Sequence, residues 1–293
     1  MTSHRLKTRA VDVLGIPVDT DLRDRWSRWF APAEQPFFVD NASDWPGRSR
    51  SGALTAELRD TFKVWRMPDP GEVVWLDESA FLALPRSRRA SLVREQANRR
   101  RGAVPTVGAW QTLLDPATLR SQADGHRFVW WPSLLDGHRD RILTASIEAR
   151  ERSSRHEEVP ASTWSRCEPI LPGARELAGT FAPASGPNCF GTVMAAAGIA
   201  NAASEWVLQD RFEEWLQECC VPGGVDQDPG TVLVWQSTEH LPVHAAVTLG
   251  DGWAVEKPAQ TWWTPRTVLA VRELIAANRA PGQRLERHRL IPR

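Results

Sequence analysis

The sequence predicts an α+β protein: a mixed α/β first half, then a second half in which helices pack on a small antiparallel sheet. Three observations lead there. Apolar residues make up 42% of the 293-residue chain, with 15 Trp and 9 Phe, which is ample for a sizeable core. Helix-like and strand-like stretches interleave irregularly in the first half, whereas the second half becomes regular. Near its end Val243 to Leu249 and Trp253 to Lys257 flank Gly250-Asp251-Gly252, a strong hairpin signal.

Taken in order, Asp21 to Phe30 is a short helix candidate whose Trp26, Trp29 and Phe30 share one face. Ala53 to Phe62 is a second. Glu72 to Leu76 reads as a strand between Gly71 and Asp77-Glu78-Ser79. Ser87 to Arg101 reads as a basic helix ended by Gly102, and Phe128 to Trp131 as a short apolar strand or turn stopped by Pro132. Residues 147 to 163 are polar and charged and close on Pro160. That composition shift sets the expected boundary between an N-terminal α/β region, 1–160, and a C-terminal domain, 161–293. Beyond it come a helix at about 164–181 and the turn Ala182 to Pro187. A helix opened by Cys189 and an amphipathic helix from Ser204 to Cys219 follow. Thr231 to Trp235 is a strand, the hairpin comes next, and Thr264-Pro265 starts a last helix through Leu274.

Composition excludes several classes of function. Thirty-six basic residues balance 36 acidic ones, so no global field favours nucleic acid or an anionic membrane. Arg86, Arg88, Arg89, Arg94, Arg99, Arg100 and Arg101 form one local basic stretch, which reads first as a solvated helix face. No run approaches the roughly 20 apolar residues that cross a bilayer. Met1 to Lys7 is not followed by an apolar h-region, so the expectation is a soluble cytoplasmic protein. The four cysteines, at 167, 189, 219 and 220, contain no C-x-x-C, and the adjacent pair is a poor disulfide. Reduced thiols are expected, with no metal and no cofactor.

One constellation carries chemistry. Cys189 opens a helix, where orphan N–H groups and the dipole favour a thiolate, and His244 lies 55 positions later in an apolar strand. A thiol is a good nucleophile only as the thiolate, and an imidazole can take its proton. Glu256, on the return strand, would sit near His244 and share its face when no bulge intervenes, and could fix the imidazole tautomer. Gln260 or Gln236 could orient the ring instead, Asn188 could donate to an oxyanion, and His240 could compete as base. Trp130-Trp131 and Trp262-Trp263 read as core, although the second pair could wall a cleft.

The blocks Asn188-Cys189-Phe190-Gly191, Asp228-Pro229-Gly230-Thr231-Val232-Leu233-Val234-Trp235 and Val243 to Trp253 resemble the NlpC-type branch of the papain-like cysteine peptidases. The resemblance covers residues 165–275. It implies a papain-like domain with Cys189 as nucleophile, His244 as base and Glu256 as orienting residue. Where that family has Asp-Cys-Ser this chain has Asn188-Cys189-Phe190, Thr231 follows the Pro-Gly pair, and the chain holds no Tyr. The implied activity is therefore stated as acyl transfer: a cysteine hydrolase or acyltransferase acting on an amide or ester of a peptide-like or acylated small molecule. The alternative is a papain-like scaffold without turnover that binds protein or nucleic acid.

Overall fold

The computed structural model describes residues 10–49, 54–122 and 124–291. The reading of Met1 to Lys7 and the expected helix start at Ala53 lie outside these residues. The chain forms two compact units: Asp19–Ser146, and Ala10–Val18 together with the chain from Ile147 onward. The division thus falls at 146/147 rather than at 160/161. The charged stretch that suggested a linker is structured. Arg155 N–H bonds to the Val268 carbonyl at 2.8 Å, and the Arg155 guanidinium bonds to both Glu158 and Glu273. The hairpin of β1 (Val11–Val13) and β2 (Ile16–Val18) joins this unit, its Leu14 carbonyl accepting from Ser154 N–H at 3.0 Å.

The first unit holds a three-stranded antiparallel sheet in which β5 (Glu72–Asp77) lies between β3 (Glu34–Val39) and β4 (Arg48–Ser49). Helix Thr20–Phe30 is capped by Asp19, whose carboxylate accepts from Leu22 N–H at 2.7 Å, and it buries Trp26 and Phe30. Helix Arg86–Asn98 ends before the expected Gly102, because the chain turns inward through Arg100 in the left-handed region. Its Gln96 bonds both the N–H and the carbonyl of Phe38 at 2.8 Å, as a neighbouring strand would. Arg101 then enters the core, bonded to Gln35 and the Pro36 carbonyl and stacked on Phe37 and Phe62. Burial pulls this guanidinium down to about 9. Phe128 to Trp131 are all buried but form no strand.

The second unit is built on a seven-stranded antiparallel sheet. Its strands are β6 (Thr180–Phe181), β7 (Cys220–Pro222), β8 (Pro229–Gln236), β9 (Pro242–Gly250), β10 (Trp253–Glu256), β11 (Pro265–Ala270) and β12 (Arg284–Leu290), in the order β6-β11-β10-β9-β8-β12-β7. Central β8 and β9 are apolar almost throughout because both faces are covered. Val232, Val234, Ala245, Val247, Val255 and Val268 pack with helices Cys189–Ala196 and Gln209–Cys219. The opposite parity, Leu233, Trp235, Ala246, Ala254 and Leu269, packs with Val271 and Leu274 of helix Val271–Ala277. This period-2 division of side chains between two faces is what makes the sheet the core of the unit.

The structure departs from the sequence reading in several places. The helix expected at about 164–181 is two, Ala161–Cys167 and Ala174–Leu177, because Pro169 and Pro172 interrupt it, and β6 follows. Ser204 to Leu208 precede the amphipathic helix instead of belonging to it. Thr264-Pro265 does not start a helix. Residues 265–270 are β11, where buried Thr267, Val268 and Leu269 satisfy a strand on the inside of the sheet, and the helix begins only at Val271. The α+β class holds, with the helices lying against antiparallel sheets.

The loop Ala202 to Val207 sits hard against the first turn of the Cys189 helix. A β-carbon on Gly191 would collide with the Ala202 backbone carbonyl. Gly191→Ala is expected to destabilise the second unit by about 1–3 kcal/mol, read by chemical denaturation with a probe inside that unit.

Candidate active site

Asn188 places Cys189. It is the N-cap of helix Cys189–Ala196, its Oδ1 accepting from Gly191 N–H at 3.0 Å, while Thr192 N–H and Oγ1 both donate to the Asn188 carbonyl. Its Nδ2 donates to the Val207 carbonyl at 2.7 Å. The amide oxygen and one N–H of Asn188 thus hold the helix start and the Val207 segment in place. The first-turn N–H groups of Cys189 and Phe190 are those an α-helix leaves without an intrahelical acceptor, and they are the local source of such donors.

His244 and Glu256 are placed by irregularities in the sheet. The hairpin turns through Asp251 and Gly252, both at positive φ (51° and 76°), with Gly250 opposite Trp253. Continued unchanged, that register would set Glu256 opposite Val247 and send it to the face away from His244. Instead Ala254 opposes Thr248, so Leu249 is an extra residue and Glu256 falls opposite Ala246. Ala246 and His244 share a face, and Glu256 becomes the diagonal neighbour of His244. The sequence argument required that no bulge intervene, whereas the bulge is what brings the two together. A second irregularity flanks His244: Trp235 opposes it, but Gln236 opposes Pro242, leaving Val243 extra. The Trp235 and His244 rings lie 5.2 Å apart.

The resulting contacts are close and dry. His244 Nε2 is 2.7 Å from Glu256 Oε2, and Glu256 is 2% exposed. Asn278, at the C-terminus of helix Val271–Ala277, donates from Nδ2 to the same oxygen at 2.7 Å and to the Leu274 carbonyl. Cys189 is within hydrogen-bonding and charge contact of the imidazole. With Nε2 engaged by Glu256, the nitrogen left for sulfur is Nδ1. Burial pushes His244 down, but the charge of Cys189 and the hydrogen bond to it, followed by the bond and charge of Glu256, outweigh that and raise it to about 10. Cys189 and His244 keep 8% and 9% of their surface.

The alternatives fall elsewhere. Gln236 donates to Glu286 at 2.9 Å, and the Gln260 carbonyl accepts from Gly186 N–H in the loop before Cys189. His240 is exposed in the turn between β8 and β9, at positive φ. Lys257, beside Glu256 in sequence, is fully buried and donates to the Ala259 and Thr261 carbonyls. Trp262 and Trp263 are buried, their rings 5.1 Å apart. Burial pushes the Cys167 and Cys220 thiols up to about 12.

Of the seven arginines in 86–101, Arg88 and Arg89 bond to backbone carbonyls, Arg99 to Asp40 and Glu95, and Arg101 is buried. Of these, the ion-paired Arg99 and the buried Arg101 are withdrawn from an exposed basic face. Among the described residues no cluster of three or more His, Cys, Asp or Glu could hold a metal ion, and no helix is long and apolar enough to cross a membrane. Asn278 was missed by sequence reasoning. It stands 22 residues beyond Glu256 with no local signal, because only the packing of the last helix on the sheet brings it there.

Glu256 raises His244, so removing its charge lowers His244. In Glu256→Gln the His244 imidazolium, followed by nuclear magnetic resonance of the labelled ring, is expected to lose its proton at lower pH than in the parent protein. Asn278→Ala leaves the carboxylate charge in place and is expected to shift the titration less. No family model, curated protein or solved structure matches the chain, so the case for its chemistry rests on this geometry.

Proposed function

We propose that the second unit is a papain-like, NlpC-type cysteine hydrolase or acyltransferase domain working through a thioester. One observation carries the reading: a single buried imidazole lies 2.7 Å from a buried carboxylate and within hydrogen-bonding contact of a helix-opening thiol. Two features independent of that contact support it. The thiol belongs to the first turn of a capped helix, and the sheet beside it is antiparallel, with the base and the orienting carboxylate on adjacent strands.

In this reading the Cys189 thiolate attacks the carbonyl carbon of an amide or ester. The carbonyl oxygen becomes an oxyanion against the first-turn N–H groups. Collapse breaks the bond to the leaving amine or alcohol, which takes its proton from the His244 imidazolium and leaves a thioester on Cys189 and a neutral imidazole. Water or an acceptor amine then gives its proton to His244 as it attacks the thioester. Release of the acyl product returns the thiolate–imidazolium pair. Glu256 takes part in no proton transfer; it holds the ring orientation and favours the charged imidazole. Because His244 is raised, the acid needed for the leaving group persists through neutral pH, and the rate is expected to fall only as pH climbs through the raised value.

Sub-stoichiometric iodoacetamide, applied between about pH 5 and pH 9 and mapped by mass spectrometry, tests the reading. Labelling is expected at Cys189 ahead of Cys167, Cys219 and Cys220, already strong on the acid side of neutrality. His244→Ala is expected to slow it on the order of tenfold. Slow labelling without preference among the four thiols would overturn the catalytic reading in favour of a binding scaffold.

A further inference from the structure

Against the first turn of the helix that carries the thiol lies an exposed apolar feature that the mechanism above does not use. Residues 205–208 run extended toward helix Gln209–Cys219, with Glu205 and Leu208 both in the β region. Alternation along such a segment sends Val207 inward, where it is 1% exposed in the core, and sends Trp206 and Leu208 outward at 60% and 66%. A single exposed leucine is ordinary on a protein surface, but an exposed tryptophan next to it on the same side of a fixed segment is a patch. The segment is fixed by the residue that fixes the nucleophile: the Val207 carbonyl accepts from Asn188 Nδ2 at 2.7 Å.

Gly186, three residues before Cys189, completes the feature. Its φ of 117° suits glycine, its N–H is tied to the Gln260 carbonyl at 2.9 Å, and a β-carbon there would find one heavy atom within 4 Å, Trp206 Cβ at 4.0 Å. The floor beside the tryptophan is therefore bare backbone under open space. Glu205 and Arg211 beside it are paired with each other, and the exposed Asp210 lies at the far end, two residues past Leu208. A flat aromatic wall and a glycine floor, in a segment held against the helix that carries the thiol, suit an apolar group.

We infer that Trp206, with Leu208 and the open backbone of Gly186, is the acyl-side recognition surface of this site, and that the acyl group delivered to Cys189 carries an aromatic or branched aliphatic substituent near its carbonyl. The inference rests on the reading of Cys189 as nucleophile. It adds the class of substrate: an apolar N-acyl or O-acyl compound rather than one with a charged group beside the scissile bond.

The test compares alkylation of Cys189 by iodoacetamide and by N-benzyl-iodoacetamide in the full chain, each rate normalised to that with glutathione. The benzyl reagent is expected to show saturation and an advantage of about fivefold, from aromatic contact with the indole. Trp206→Ala is expected to bring the ratio of the two reagents to about one by weakening the saturation constant rather than the limiting rate, and Trp206→Phe to keep most of the advantage. Val225→Ala, at another exposed apolar residue of the same unit, is expected to keep the parent ratio. A parent protein that labels selectively at Cys189 but shows no benzyl advantage, or a Trp206→Ala protein that keeps it, overturns the inference while the reading of the thiol stands. Failure of iodoacetamide itself to select Cys189 removes both.

Discussion

A carboxylate almost without solvent, Glu256, is held against the imidazole of His244 at 2.7 Å, and the rest of the site depends on that contact. Moving two ions out of water costs several kcal/mol each, and their mutual attraction offsets this only when further hydrogen bonds satisfy what remains. Here Asn278 supplies the second bond to the same oxygen. The pair fixes the ring plane and leaves Nδ1 for the thiol. After the charge and hydrogen bond of Cys189, Glu256 is the next influence raising His244 against the lowering effect of burial. Truncating either partner would leave the other charge buried and alone, so the arrangement is held more firmly than its net contribution to stability would suggest.

The contact exists because β9 carries one residue more than a regular ladder would. Leu249 shifts the parity of the hairpin, and with it the face to which Glu256 belongs. The thiol is held with similar economy of parts. One amide, Asn188, caps the helix through its oxygen and ties down the Trp206 segment through its nitrogen, so the nucleophile and the adjoining apolar surface share one anchor. Gly191 has no side chain because the same segment lies against it.

How far this was legible in the sequence differs from residue to residue. Cys189 could be found because an asparagine followed by a short apolar run marks a helix start, and His244 because its strand ends on a turn of glycines and aspartate. Glu256 was chosen for the right neighbourhood but on an assumption of regular pairing. Parity across a hairpin depends on where an extra residue falls, and no local pattern announces Leu249. Asn278 and the inner Gln96–Arg101 network were invisible because each meets its partner only through tertiary packing. Strand β11 was misread because Thr-Pro is also a helix-start signal, and burial on both faces removes the alternation that would have identified a strand. The charged stretch after Ile147 looked like a linker because composition does not show that its charges pair with one another.

Trapping the acyl intermediate tests the central claim most directly. An activated aryl ester of an apolar acid would be mixed with the protein, and the intact mass followed before and after neutral hydroxylamine. The account predicts a single acyl adduct, located on Cys189, removed by hydroxylamine, absent from Cys189→Ala and slow to form in His244→Ala. An adduct on other residues, or none in the parent protein, would contradict it.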